Sequence, residues 1–196
     1  APTPIVATGT VATTTPLTPT PSVPVVTPAT STVTTVVPLN LIQNPSFETD
    51  ANSDNFPDLW SKGGWGTSNR AFTYPVQGVD GSRAASISVS GYVSGDAKWV
   101  SGKVSIAPGK TYRFSDQYLS TGSSQVLLSY TNTSGAVTYA LLASLPSSLG
   151  AWKSHTSTFT APSGAVSVSI YHLINSNGVL TLDGLSLVDL SSGAAT

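Results

Sequence analysis

The sequence predicts an all-β protein, an antiparallel β-sandwich preceded by an extended Thr/Pro-rich N-terminal tail. Three observations predict it. From Leu39 onward, short runs alternate apolar and polar residues, with turn residues between them. No segment carries a helical period. Before residue 39 the chain has no charged side chain and holds eight of its 14 prolines, a pattern that favours extended chain over packed structure.

The tail is residues 1–38, rich in Thr, Pro, Val and Ala. Pro16, Pro19, Pro21, Pro24 and Pro28 rule out a helix through its middle. The default reading is a polyproline-like linker with threonines open to O-glycosylation. Two proline-free runs read differently. Residues 5–13, with Ile5, Val6 and Val11, and residues 30–37, with Val33 and Val36, are β-branched enough to form strands. They are candidate assembly segments, able to add a strand to the sheet edge of another copy.

Leu39–Glu48 is expected to be the first strand of the domain, which runs over residues 39–190. Glu48 is the first charge in the chain. Later runs follow in order. Ala85, Ile87 and Val89 alternate with serines. Residues 98–107 read as one strand, closed by the turn Pro108-Gly109-Lys110. Tyr112, Phe114, Asp116 and Tyr118 share one strand face. Val126–Thr131 and Val137–Ala143 flank Thr133-Ser134-Gly135 as a hairpin. Residues 152–161, 165–173 and 178–190 complete the set, and 191–196 form a short polar end.

Composition narrows the function classes. Charged residues are 9% of the chain and the net charge is −1, so no basic face awaits nucleic acid or anionic lipid. Cysteine is absent, which excludes disulfides, thiolate metal sites and thiol nucleophiles. Apolar runs are too short to span a bilayer as a helix. Methionine is absent as well. The expected setting is extracellular or at the cell surface, with Ala1 left by signal-peptide removal.

A family likeness rests on Asn40-Leu41-Ile42-Gln43-Asn44-Pro45-Ser46-Phe47-Glu48, Gly63-Gly64-Trp65-Gly66, Ser94-Gly95-Asp96-Ala97-Lys98-Trp99, Pro108–Asp116 and Thr181-Leu182-Asp183-Gly184-Leu185. Together they resemble the jelly-roll β-sandwich of carbohydrate-binding modules of the CBM4/9/22 type, as attached to bacterial polysaccharide deacetylases and surface proteins. The resemblance covers about residues 39–190. It implies a structural calcium at Glu48 and Asp183, although Gly184 stands where a second acid is common. The plainer reading leaves Glu48 and Asp183 at strand ends, facing water.

Glycan recognition needs aromatic platforms for the C–H faces of sugar rings. The candidates are Trp60, Trp65, Tyr74, Trp99, Tyr118 and Tyr171; each competes with a place in the core. Tyr171 has the strongest sequence argument for exposure, because it shares a strand face with Ser167 and Ser169. His155 and His172 lie near no nucleophile motif, and His172 shares parity with Ile170, so an interior place is expected. Asp50, Asp54 and Asp58 read as a solvated turn or a weak cation loop. No catalytic residues are expected.

Two function classes remain. The strand-capable tail puts first a non-catalytic subunit that assembles with other copies of itself into a filament or surface layer. The alternative is a carbohydrate-binding module on a Thr/Pro linker that targets a polysaccharide.

Overall fold

The computed structural model describes Gly9, residues 38–79, residue 81 and residues 83–191. The assembly candidates Ile5, Val6, Val11, Val33 and Val36 lie outside the described residues.

Eleven strands and no helix make up the described chain: β1 Trp60–Trp65, β2 Asn69–Val76, β3 Ala84–Ser90, β4 Asp96–Ser101, β5 Val104–Ser105, β6 Thr111–Ser120, β7 Ser124–Asn132, β8 Val137–Leu145, β9 Lys153–Thr160, β10 Ala165–Ile174 and β11 Gly178–Asp189. One sheet runs β1-β4-β10-β7-β8, with β5 also paired to β10; the other runs β2-β3-β11-β6-β9. Every pairing is antiparallel.

Period-two patterning explains the sandwich. Along β6, Tyr112, Phe114, Asp116 and Tyr118 are buried while the residues between them are not. On β10, Val168, Ile170 and His172 point inward. The inner faces of the two sheets close over one core. Trp99 sits deep within it, 1% exposed. The rings of Phe56 and Phe72 each lie 5.3 Å away, and its indole N–H donates to the Ser86 carbonyl at 3.2 Å.

The opening stretch differs from expectation. Leu39–Glu48 is not a strand but a hook fastened to β11. Asn40 Nδ2 donates to the Leu185 carbonyl at 2.9 Å, and Asn40 Oδ1 accepts from the Leu187 N–H at 3.0 Å. One amide side chain thus makes the paired bonds a neighbouring strand would make. Leu41 N–H adds a bond to the Leu187 carbonyl at 2.8 Å. The chain then turns through Asn44 and Phe47, both at positive φ, and Phe47 packs on Trp60 with ring centroids 4.5 Å apart.

Two strands were not expected. β1 carries Lys62, Gly63 and Gly64 and shows little alternation; β2 contains Pro75. Residues 98–107 are two strands rather than one, broken at Gly102-Lys103.

Candidate functional site

The outer face of the β1-β4-β10-β7-β8 sheet carries the site. Register fixes who shares that face. Trp65 stands opposite Asp96, and Gly63 opposite Lys98. Leu173 pairs with Lys98, Tyr171 with Leu127, and Ser129 with Tyr139. Cross-strand partners point to the same side. Trp65, Asp96, Lys98, Leu127, Tyr139 and Tyr171 accordingly line one cavity of ≈ 390 Å³. Gly63 leaves room for the Lys98 side chain: a Cβ there would sit 2.6 Å from Val100 Cγ2 and 3.2 Å from Lys98 Cγ.

The aromatic rings are held rather than loose. Trp65 is 65% exposed, yet its indole N–H donates to Asp96 Oδ2 at 3.1 Å. Asp96 Oδ1 accepts from Lys98 Nζ at 2.6 Å. The same ammonium lies 5.1 Å from the centroid of the Tyr171 ring, within cation–π range. Arg70 donates to the carbonyls of Trp65 and Gly66 and pins the corner after β1. Tyr139, 67% exposed on β8, is the aromatic of the opposite wall. Apolar ring faces beside a few fixed polar groups suit a ligand with both C–H faces and hydroxyls.

Of the six aromatics singled out in the sequence, the structure brings Trp65 and Tyr171 together in this cavity. The other four are core residues. Trp60, Tyr74, Trp99 and Tyr118 are buried, and a ring enclosed on both faces has no surface for a sugar. Their polar atoms are used internally: Trp60 Nε1 donates to the Asn44 carbonyl at 2.9 Å and the Tyr74 hydroxyl to the Phe47 carbonyl at 2.6 Å. Sequence reasoning missed Tyr139, Leu127, Asp96 and Lys98. The signal for Tyr139 was present: Val137, Tyr139 and Leu141 share one parity in a run with no charge to mark its outer face.

A second polar cluster lies between the sheets. Asp116 of β6 contacts His155 Nδ1 of β9 at 3.1 Å and His172 Nδ1 of β10 at 2.5 Å, each through a different oxygen. His172 Nε2 then meets Ser124 Oγ at 2.8 Å, and His155 Nε2 meets Ser157 Oγ at 2.8 Å. Burial pushes the Asp116 carboxyl up, but attraction from His172 and hydrogen bonds from both imidazoles outweigh it and hold the group below its ordinary 3.8. Ser124–His172–Asp116 has the connectivity of a nucleophilic relay. All three are buried, so no substrate reaches the serine, and the cluster instead joins the two sheets.

The acids Glu48 and Asp183 converge on the loop between β2 and β3. Asp183 is 0% exposed, which corrects the reading that it faces water. Its Oδ2 accepts from the Val79 N–H and its Oδ1 from the Gly184 N–H, both at 2.6 Å. Glu48, which is exposed, accepts from the Arg83 N–H at 3.0 Å. Gly184 has φ 58 at the bulge in β11, so a left-handed backbone explains the glycine where another acid would be strained. Gly78 and Gly81 let the loop close over these carboxylates: an added Cβ would fall 2.6 Å from Asp183 Oδ2 and 1.9 Å from Glu48 Oε1. Among the described residues no cluster of three or more acids or histidines suited to a metal is present.

The fold is that of carbohydrate-binding modules. The xylan-binding CBM22-1 domain of Paenibacillus barcinonensis Xyn10C superposes with a TM-score of 0.52 at 12% identity, over 74% of this chain and 91% of that one. The enzymatically active domain of bacteriophage CBA120 tailspike protein 4 gives a TM-score of 0.60 at 13% identity, over 77% of this chain and 21% of that one. An arabinose-bound α-L-arabinofuranosidase gives 0.57 at 15% identity, over 76% of this chain and 26% of that one. The chain therefore spans about a fifth of the tailspike domain and a quarter of the arabinofuranosidase. No protein-family model matches, and no curated protein is similar in sequence.

Proposed function

We propose that the chain is a non-catalytic, extracellular or cell-surface glycan-binding module, and that the outer face of the β1-β4-β10-β7-β8 sheet is its binding surface. One observation carries the reading: Trp65, Tyr171 and Tyr139 flank a single cavity with a fixed Asp96–Lys98 pair on its floor. Trp65 and Tyr139 supply stacking surfaces and Lys98 hydrogen-bonds ring oxygens or hydroxyls. Likeness to a xylan-binding domain supports a β-linked polysaccharide as the partner class. The enclosed Ser124 argues against hydrolysis. Affinity electrophoresis against xylan, cellulose derivatives and galactan tests it: retardation by at least one polysaccharide is expected, and loss of it on Trp65→Ala.

A structural cation belongs to the same reading. Glu48 and Asp183, with carbonyls of the loop their carboxylates already hold, would bind calcium through oxygen ligands. Its role is to fix the β2–β3 loop. Calcium titration followed by thermal melting reads this without reference to glycan.

The assembly reading has one observation in its favour, the character of strand β8.

A further inference from the structure

Among the described residues, the strand path of each sheet ends in two edge strands, and three of these four are protected. β1 carries Lys62 and two glycines, β2 carries Arg70 and Pro75, and β9 carries Lys153. Charges, proline and glycine of this kind discourage pairing with another chain. β8 has none of them. Its nine residues, Val137-Thr138-Tyr139-Ala140-Leu141-Leu142-Ala143-Ser144-Leu145, contain no charge, no proline and no glycine. Among the described residues it pairs only with β7, and its first five residues are exposed. Val137, Tyr139 and Leu141 present a continuous apolar stripe.

We infer that β8 is an acceptor edge for residues 5–13 of a second copy of this chain, docked by strand addition. Length, composition and reach favour this occupant. Residues 5–13 are nine, matching the nine of β8, and are free of charge and proline. Neither partner then desolvates a charge when the ladder closes. Residues 14–37 separate the donor segment from the domain and include five prolines. Extended at about 3.1 Å per residue they span about 75 Å, well beyond a domain about 40 Å across. A donor on one copy and an acceptor on the next form a head-to-tail contact, which propagates into an open chain of subunits. This inference is independent of glycan binding.

Three full-length variants test it. Val137→Lys, at the start of β8 opposite Thr131 and outside the cavity lining, places a charge on the acceptor; Leu141→Lys does the same mid-strand, opposite Leu127 of the cavity wall. Val6→Pro with Val11→Pro removes donor N–H groups from residues 5–13. Light scattering after size exclusion should show the parent chain well above its 20.0 kDa monomer mass, growing with concentration, and each variant alone as a monomer with an unchanged melting profile. An equimolar mixture of Leu141→Lys and the double-proline variant retains one good donor and one good acceptor, so it should stop at the dimer. A parent chain that stays monomeric at every concentration overturns the inference. So does undiminished assembly of any variant.

Discussion

At the scale of the residue, the same side-chain type does opposite work in different places. Trp65 and Trp99 stand on neighbouring strands, yet one is 65% exposed and the other 1%. Trp65→Ala and Tyr171→Ala should leave the fold intact and weaken glycan binding at least about ten-fold each, the scale of a lost hot spot; isothermal titration beside a urea melt separates the two effects. Trp99→Ala should instead cost about 3–5 kcal/mol of stability, seen in the melt alone. Asp116 makes a different prediction. Its carboxyl is held below 3.8 in the folded state, so its contribution is full above that value and is lost as pH falls through the lower folded one. Asp116→Asn should destabilise the fold at neutral pH by about 3 kcal/mol and flatten the loss of stability below about pH 4. A variant whose acid melt parallels the parent would contradict the role given to this cluster. Single-residue patterns made part of this legible. His172 was expected inside because it shares a strand face with Ile170, and it is inside. Tyr118 shares a face with Phe114, which already spoke for the core. The bond from Asp116 to both histidines was not legible, because it joins residues far apart in sequence across two sheets.

At the scale of the element, local pattern found most strands and missed those defined by context. Residues 85–90, 112–118, 126–131 and 165–173 alternate cleanly and lie in β3, β6, β7 and β10. β1 was missed because Gly63 and Gly64 interrupt its alternation; Gly63 leaves room for the Lys98 side chain and Gly64 for the backbone of Asp96. Leu39–Glu48 misled in the other direction, since its apolar residues suggest a strand while Asn40 makes the ladder bonds with its side chain. Asn40→Ala should remove three such bonds, the third being from the Ile42 N–H at 3.1 Å, and lower stability by about 2–3 kcal/mol, measured by urea denaturation. The loop held by Glu48 and Asp183 predicts that saturating calcium raises the melting temperature by about 5 °C or more, and that Asp183→Asn abolishes the rise. An unchanged melt with calcium and with chelator would remove the cation from the account.

At the scale of the whole molecule, two surfaces of one sheet carry the functional reading. The face holds the cavity of Trp65, Tyr171 and Tyr139; the edge is β8. Family-like motifs marked the sandwich. The composition of the cavity was not legible, because Trp65, Asp96, Tyr171 and Tyr139 come from four strands that only the sheet order β1-β4-β10-β7-β8 makes neighbours. Strand pairing, and not proximity in sequence, builds the site. The central claim is that this face binds glycan. Its most direct measurement is affinity electrophoresis of the full chain in gels containing xylan, cellulose derivatives or galactan, run beside Trp65→Ala and a remote control, Lys110→Ala. The account predicts retardation of the parent and of Lys110→Ala by at least one polysaccharide, and none of Trp65→Ala. Equal mobility of all three proteins in every gel, or equal retardation of Trp65→Ala, would contradict it.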